Sequence, residues 1–489
     1  MGTISSAFSL ITGALEADQS GLSIVANNVA NANTTGYTEE TPNWQENSPV
    51  TINGVSYGTG VTETGATSVR DRVLEERLDQ QQQLASASST RLSALDTVQT
   101  LFTPDSGSSS STAGDIGSDI TSFFDSFSSL EAEPTNNALR QDVLSSASTL
   151  AGDISNAASS LNSQRAALDQ ESNGVVSQVN SLTTSIAQLN QQIQSSSPDS
   201  DAGTLEDQRQ QDLSQLSKLI GINQVTTENN GLTITTTAGQ ALISGDESTA
   251  ITTGTVDGVT HYFVGTADIT SSLAQGGGEL GGYLTARDQD IPTVLSSLDQ
   301  LAFGITTEVN AQNEAGVNSD GTAGTAIFSQ SSQVAGSAAS MSVVMTDADG
   351  IAAAATGEGT GDNTNCKALA ALGSETEPAI LDGYTLPDGT VLSSGASLLG
   401  NQTPSNFYSG MVTELGSTIS QVQTENTAQA ASVTQLTTQS NALSEVNLND
   451  EASAMTTLER SYQAASQVFT MLNTILASAL NLGDQTAVS

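Results

Sequence analysis

The chain has 489 residues, a length that predicts two to four domains. Its formal net charge is −42, from 53 acidic and 11 basic residues, which argues against nucleic acid and against anionic membrane surfaces as partners. Aromatic residues make up only 4% of the chain, so helices packed through thin Leu, Ile and Val seams are expected rather than a thick globular core. We interpret the acidic surface as a source of solubility.

The beginning of the chain, MGTISSAFSL, has neither the basic segment nor the apolar segment of a secretory signal. No apolar run approaches the ~20 residues that a membrane-spanning helix needs. We therefore expect a soluble protein that does not leave the cell by the general secretory route. The single cysteine, Cys366, cannot form an intrachain disulfide and is interpreted as a small apolar core residue.

A heptad pattern predicts a helix from about Thr3 to Ala30. Asp18 interrupts the apolar series, and Gly13 and Gly21 each cost about 1 kcal/mol relative to alanine, so this helix should order only on packing. Its apolar residues recur at alternating steps of four and three, which makes a narrow seam for a partner helix. The seam consists of Ile4, Phe8, Ile11, Leu15, Leu22, Val25 and Val29.

A turn, short strands and a second helix follow. Gly36 comes after an Asn- and Thr-rich stop and is expected to take a positive φ. Residues 41–69 predict short strands, with Asn53-Gly54 as the turn of a hairpin between Val50–Ile52 and Val55–Tyr57. Helical periodicity then runs from Arg70 to Phe102.

The central part of the chain predicts the longest helix. After a Ser- and Gly-rich break at 104–119, an apolar stripe from Ile154 to Ile193 indicates a helix from about Asn136 to Ser195, which Pro198 ends. A shorter helix is expected from Leu205 to Leu219, with Gly221 as its C-terminal stop.

Beyond Gly221 the hydrophobic period changes. Apolar residues alternate with threonine in 222–275, and the turn pairs Asn230-Gly231 and Asp257-Gly258 indicate a small β unit. A helix is expected from Leu284 to about Asn313. Residues 315–404, rich in Gly, Ala and Thr, are expected to form a second, partly β domain.

Two further helices are predicted in the last part of the chain. The first begins at Ser405, and the second has Asn449 as its expected N-cap, with Asp450 and Glu451 in its first turn. The second helix carries an unbroken heptad seam. That seam consists of Met455, Leu458, Tyr462, Ala465, Phe469, Leu472, Leu476 and Ala479.

These elements predict a mainly α fold with β insertions, in an elongated and nested multidomain subunit. Because the two ends match in type, 1–35 and 445–489 are expected to pair as one coiled-coil layer, and their two seams are the expected assembly interface. A long-helix bundle domain would comprise 36–221, 276–314 and 405–444. The small β unit, 222–275, and the partly β domain, 315–404, would form outer lobes.

Few residues with catalytic or metal-binding chemistry are available. His261 is the only histidine, and we interpret it as a half-exposed strand residue. With one histidine and one cysteine, zinc ligand sets and Cys/His dyads are out of reach. No phosphate-binding loop is evident, and the acidic turns around Gly321 and Gly350 lack the carboxylate pattern of a calcium loop. We predict no enzyme activity, no cofactor and no metal.

The run from Ser23 to Tyr37, SIVANNVANANTTGY, resembles the N-terminal signature of flagellar rod, hook and hook-associated proteins. The segments NLNDEA at 447–452 and LERSYQA at 458–464 resemble the matching C-terminal signature. After Thr38 the family usually has a basic residue, and here Glu39 and Glu40 follow. The N-terminal signature positions are Asn27, Asn28, Asn31, Gly36 and Tyr37.

Inner segments resemble one family in particular, the hook-associated protein 1 family of hook–filament junction proteins. These segments are 205–209 with 216–221, 278–289, and 361–365 with 368–372. The resemblance implies an extracellular structural subunit of the bacterial flagellum, secreted through the flagellar type III export apparatus and assembled by pairing of its terminal helices. It implies as partners further copies of the chain, the hook protein, the next hook-associated junction protein and an export chaperone.

Other interpretations stay open from the sequence alone. A hook or distal rod protein would carry the same terminal signatures. A secreted enzyme or adhesin with flagellar export signals would need clustered functional groups, which no motif indicates. The heptad seams could also be ordinary bundle core, but that interpretation does not explain why both ends carry family signatures.

Overall fold

The computed structural model describes residues 2–34, 36–52, 54–103, 115–196, 203–227 and 230–486. The first part of the chain contains α1 (Gly2–Asn31), β1 (Glu40–Glu46), β2 (Val50–Ile52), β3 (Val55–Tyr57), β4 (Val61–Ser68) and α2 (Arg72–Thr100). Three helices follow: α3 (Ile116–Ala132), α4 (Asn137–Ser196) and α5 (Thr204–Leu219). The fold is mainly α with β insertions, as predicted.

The β unit comes next in the chain. Its strands are β5 (Ile222–Thr226), β6 (Leu232–Thr236), β7 (Ala241–Ser244), β8 (Glu247–Ser248), β9 (Ile251–Val256), β10 (Val259–Val264) and β11 (Ala267–Asp268). They form two antiparallel sheets, β5-β6-β7-β8 and β11-β10-β9. The β9–β10 turn has positive φ at Asp257 and Gly258, as the Asp-Gly signal predicts.

Helices dominate the rest of the chain. These are α6 (Thr270–Gly276), α7 (Gly278–Thr285), α8 (Ile291–Ala315), α9 (Ser337–Ser340), α10 (Thr364–Ala371), α11 (Pro404–Ser444) and α12 (Leu448–Thr486). A π-helical turn, Ala286–Asp290, connects α7 to α8. None of the described helices is both long enough and apolar enough to span a membrane.

Several sequence predictions are confirmed at the level of single elements. The hairpin β2–β3 pairs Val50 with Tyr57, and β1 pairs with β4 around it. The long helix is α4, and its predicted stripe is buried at Ile154, Leu161 and Ile193. Gly36 has φ +78°.

Other predictions need correction. The expected break at 104–119 is shorter, because α3 already begins at Ile116; residues 104–114, and the expected helix stop at Pro198, lie outside the described residues. Asn449 is not the N-cap of α12, since the side chain of Asn447 accepts the Asn449 N–H at 3.1 Å. The fully described stretch 315–404 has isolated β-bridges, such as Phe328 with Val343, instead of strands.

The chain folds into two compact units, each built from segments that are distant in sequence. Unit 1 contains 1–86, 175–279 and 428–489, and unit 2 contains 87–174 and 280–427. The apolar core of unit 2 is dense, and the Phe123 ring lies 5.2 Å from Phe127 and 5.4 Å from Phe328. Cys366 is fully buried in this core, as predicted, and burial raises the pKa of its thiol to about 12.

In unit 1, polar side chains connect the helices to the small sheets. The Asn190 amide on α4 donates to the carbonyl oxygens of Leu232 and Gly245 at 2.9 and 2.8 Å. Asn180 on α4 exchanges two hydrogen bonds with the backbone of Ile251. His261 lies half-exposed on β10, as predicted, with its Nδ1 2.6 Å from Asp268 Oδ2.

Candidate assembly interface

The first and last helices of the chain lie side by side and antiparallel in unit 1. The Phe8 and Phe469 rings meet edge to face at 5.4 Å. Further along α1, a Cβ added at Gly21 would lie 3.1 Å from Leu458 Cδ1, so the two helices approach closely at this glycine. Asn28 donates to Glu451 Oε1 at 2.9 Å. Contacts that advance along α1 therefore run backwards along α12.

The heptad seam of α12 faces α1 as a partly covered stripe. Leu458 is buried, Met455, Ala465, Phe469, Leu472 and Leu476 are half-buried, and Tyr462 remains 39% exposed at the edge. The side chain of Ala479 lies outside the described residues. The stripe predicted from the sequence is therefore the face that α12 turns toward α1 in the described residues.

The predicted seam of α1 is placed with a shift. Ile11 and Val25 are buried and Phe8, Leu15 and Leu22 are half-buried, while the side chain of Ile4 is not described. Val29 is 39% exposed, and the contacts with α12 at the last two steps come from Gly21 and Asn28. Apolar periodicity could not identify those two positions, because neither residue is apolar and large.

A β-ribbon covers a second face of α1. Strands β1 and β4 pack on the helix, and a Cβ at Gly21 would also lie 3.3 Å from Trp44 Cζ2. The hydroxyl of Ser20 donates to the Glu63 carboxylate. This second contact explains why Ala17 and Ile24, which lie outside the heptad series, are buried.

Asp18 lies in the seam and is only 8% exposed. Its Oδ2 has no hydrogen-bond partner among the described residues. A buried acceptor without a donor costs on the order of 1–3 kcal/mol. The α1–α12 pair is therefore less stable than its apolar stripe alone would suggest.

Asn28 is the best satisfied polar residue of the interface, and it is 1% exposed. Its Nδ2 donates to Glu451 Oε1 and to the Glu40 carbonyl oxygen, at 2.9 and 2.8 Å. Its Oδ1 accepts from the Glu40 N–H and from the Tyr37 hydroxyl, at 3.0 and 2.8 Å. Every hydrogen-bonding position of the amide is used. One side chain thus connects α1, the start of the ribbon and the start of α12.

The other signature residues shape the turn that brings Tyr37 to Asn28. Asn31 donates to the carbonyl and side-chain oxygens of Asn27, which closes the end of α1. Gly36 has φ +78°, and a Cβ there would lie 2.6 Å from Gln211 Nε2, so both conformation and space favour glycine. Burial raises the pKa of the Tyr37 hydroxyl well above its usual value, with Glu40 adding to the effect.

Glu39, the first of two acidic residues after Thr38, contacts the segment that leads into α12. Its N–H donates to the Ser444 carbonyl at 2.9 Å. Burial raises the pKa of its carboxyl, as does nearby Asp450, while a hydrogen bond from the Asn447 N–H lowers it. A carboxylate at the beginning of α12 is favourable for the helix dipole. The Glu39 carboxyl therefore has a nearby hydrogen-bond donor, the Asn447 N–H.

Sequence reasoning missed an ion-pair network beside the signature turn. Arg70 forms an ion pair with Asp207, whose carboxylate also accepts the Thr38 N–H at 3.2 Å. Arg72 lies 2.9 Å from Glu206, which is 1% exposed. Because basic residues are scarce in this chain, the two arginines at 70 and 72 could have indicated ion pairs in this region. Their partners could not be identified from the sequence, since they lie more than a hundred positions away.

The interface contains no group with evident catalytic chemistry among these described residues. Nor do the described ranges contain a cluster of three or more His, Cys, Asp or Glu residues that could hold a metal ion. What the geometry provides is helix pairing, a covered ribbon and a polar connection between both ends of the chain.

Comparisons with known proteins agree with these features. A family model described as "Flagellar hook-associated protein FlgK helical domain" matches residues 105–328, and one described as "Flagella basal body rod protein" matches residues 11–38. Flagellar hook-associated protein 1 of Salmonella typhimurium is 25% identical over 552 residues, covering 96% of this chain and 98% of that protein. The protein of the same name in Bacillus subtilis is 27% identical and covers 96% of each chain.

These matches identify flagellar hook-associated protein 1 as the family that this chain resembles over nearly its whole length. The recognition made from the terminal and inner motifs is confirmed. The rod model covers only the N-terminal signature, whereas similarity to hook-associated protein 1 extends over nearly the whole chain. This family consists of structural flagellar proteins and is not an enzyme family.

A solved structure supports the fold. "The structure of the flagellar hook junction protein FlgK from Burkholderia pseudomallei" matches with a TM-score of 0.61 at 18% identity. The match covers 74% of this chain and 99% of that one. The mainly α multidomain architecture is therefore shared with that flagellar hook junction protein.

Proposed function

We infer that this chain is a structural subunit of the bacterial flagellum at the junction between hook and filament. The observation that supports this most directly is the antiparallel pairing of α1 with α12, fixed by Asn28 and Glu451 within the two family signatures. Each signature contributes one side of that hydrogen bond. A subunit whose two ends form one helical layer is suited to building a wall with its neighbours.

Assembly would proceed through this terminal layer. The pair has a partly exposed seam, one Asp18 carboxylate oxygen without a donor among the described residues and two glycines in α1. Marginal helices of this kind order when they pack. We therefore propose that the terminal ~35 and ~45 residues become fully ordered only in the assembled flagellum. The predicted seam residues would then be buried by the partner helix and by neighbouring subunits.

The specific partners follow from the family. The junction position of the family implies further copies of the chain in a ring or helical assembly, the hook protein on one side and the next hook-associated protein on the other. Export through the flagellar type III apparatus, with a chaperone, would deliver the subunit to the outside of the cell. A chain with one buried cysteine carries no disulfide that would block passage through a narrow channel.

The test is addition of purified protein to isolated hooks. The wild-type chain should bind to hook ends and saturate, and a strain lacking the protein should make bare hooks and shed flagellin. Leu472→Asp and Leu22→Asp should reduce binding at least tenfold, because each places a charge in the seam.

Thr474→Asp is the matched control, since Thr474 is exposed on the same helix. It should bind nearly as well as the wild type. Hook binding that is unchanged by both seam substitutions would contradict assembly through the terminal layer. Filaments that still form normally in the deletion strain would contradict the junction function itself.

A further inference from the structure

Three of the segments in this strongly acidic chain that contain no charged side chain are 1–15, 47–62 and 461–483. Unit 1 brings described parts of these segments together. The Phe8 ring contacts Phe469. Next to this contact, a Cβ added at Gly60 of the ribbon would lie 3.6 Å from Leu10. One end of the α1–α12 pair is therefore neutral. Copies that each carry a net charge of −42 could approach one another there with the least repulsion.

The neutral end leaves an apolar stripe uncovered on α12. Val468, Met471 and Ile475 are 41%, 58% and 54% exposed. At 100° per residue they lie roughly a third of a turn away from the Leu458–Leu472 stripe that faces α1. Arg460 continues this outer stripe two turns earlier and is the only basic residue in α1 or α12.

Arg460 is exposed, and no carboxylate among the described residues lies within ion-pair distance of it. Arg70, Arg72, Arg91 and Arg287 all have carboxylate partners within unit 1 or unit 2, so Arg460 differs from them in leaving its positive charge open to a partner. The outer stripe thus combines three apolar residues with one positive charge at its end.

A complementary cleft lies between α1 and the ribbon. Its volume is about 610 Å³, and Phe8, Thr12, Gly13, Ala17 and Val61 contribute to its lining. Glu16 and Glu63 also line it, on the side away from Phe8 along α1. Ser9, Asn47 and Thr62 complete the lining, so the cleft combines small and polar residues around Phe8 and Val61 with two carboxyl groups at its other end. Those carboxyl groups are opposite in charge to Arg460.

We propose that this cleft receives the outer α12 stripe of a second copy of the chain, with Arg460 of that copy beside Glu16 and Glu63. The proposal rests on the proposed function as a self-assembling subunit and names the surface that copies use. The charged and apolar residues have the same spacing on the two helices. Arg460 and Val468 are eight positions apart, as are Glu16 and Phe8, which is about 12 Å along either helix. The incoming helix would therefore run antiparallel to α1.

Charge reversal tests the polar half of this contact. In sedimentation experiments with the full chain, Arg460→Glu should weaken self-association on the order of tenfold, because attraction to two carboxylates becomes repulsion. Adding Glu16→Arg to Arg460→Glu should restore most of the affinity. Arg77→Glu is the matched control, with the same change of charge at another exposed arginine, and should have little effect.

Far-ultraviolet circular dichroism on each variant would verify that helix content is unchanged. If Arg460→Glu associates like the control, or if Glu16→Arg does not restore the double variant, the pairing is wrong. Either result leaves hook binding by the wild-type chain unaffected, so failure of this contact is distinguishable from failure of the junction function.

Cross-linking tests the apolar half. Thr12→Cys and Ala464→Cys would be made in separate copies and mixed under mild oxidation, and Cys366 would not interfere because it is fully buried. A covalent heterodimer should form in the mixture, well above the level of either homodimer. A matched pair on the outer face of α11, Ser420→Cys with Thr12→Cys, should not cross-link. Equal yields from both mixtures would overturn the proposal.

Discussion

The core of unit 2 buries its apolar side chains more completely than the terminal helix pair of unit 1 does. Phe123, Phe127 and Ile154 in unit 2 are completely buried. On α12, Phe469 and Leu472 are only half-buried, and Met471 and Ile475 remain exposed. The difference indicates that unit 2 is complete within one subunit, whereas the terminal pair has apolar surface left for a partner.

Truncation of one phenylalanine in each region tests this difference directly. Phe123→Ala should lower the free energy of unfolding by about 3–5 kcal/mol, because it leaves a cavity among closely packed rings. Phe469→Ala should cost less than about 1 kcal/mol in the free subunit, since its ring is already partly in water. Denaturant titrations of both variants measure the two values, and similar costs would remove the distinction.

A buried carboxyl group makes the stability of unit 2 depend on pH. Burial raises the pKa of the Glu308 carboxyl in unit 2 to about 8, with Glu375 adding to the rise. Because the unfolded chain has a pKa near 4.3, folding takes up a proton, so this group favours the folded state most strongly at low pH. The free energy of unfolding should therefore fall, by about 3 kcal/mol, as the pH rises from about 5 to about 8.

Glu308→Gln should remove the share of the slope that comes from Glu308, because glutamine stays neutral throughout the range. Burial also raises the pKa values of Glu75, Asp79 and Asp119, to about 7, 6 and 7, so these groups should supply the rest of the slope. The control is Glu358→Gln, at an exposed position of the same unit, which should keep the slope of the wild-type chain. Thermal unfolding at several pH values measures the effect. A wild-type slope that persists in Glu308→Gln would assign the pH dependence to other carboxylates.

An effect smaller than those of Phe123→Ala and of the pH change is expected for the polar connection in the terminal pair. Asn28→Ala removes four hydrogen bonds and leaves the Glu451 carboxylate buried without that donor, at a cost of about 2 kcal/mol. Hydrogen exchange of the α12 amides near residue 451 should therefore accelerate. Asn27→Ala, at the neighbouring exposed position, should change exchange by less than ~0.5 kcal/mol. Equal effects would mean that Asn28 does not hold the two ends together.

Much of the fold could be predicted from local sequence patterns. The bounds of α1, α4 and α5 and the β2–β3 hairpin follow from apolar periodicity and the Asn-Gly pair, because these signals act within a few residues. The glycine stop predicted for α5 was wrong in kind, since the helix ends at an extended Ile220 and Gly221 does not take a positive φ. The N-cap of α12 was misplaced by two positions, since Asn447 and Asn449 are equally good cap residues by type. Residues 315–404 had no regular period, and the structure there is built from turns and isolated bridges.

The site was only half predictable for a physical reason. The apolar members of both seams could be read from spacing, but Gly21 and Asn28 enter the interface through close approach and hydrogen bonding. The Arg70–Asp207 pair joins residues 137 positions apart, and nothing in one sequence identifies which of many carboxylates an arginine will meet. Long-range polar contacts of this kind need the fold before they can be assigned.

The pairing of the first helix with the last also sets an order in time. Synthesis makes α1 first and α12 last, and the Asn28–Glu451 hydrogen bond joins residues 423 positions apart. Contacts so distant in sequence form late, because the whole intervening chain must be present before its ends can meet. The terminal pair can therefore close only after α12 has been synthesised. A product cut short before residue 448 could still build the core of unit 2, yet it would offer an unpartnered first helix to the growing structure.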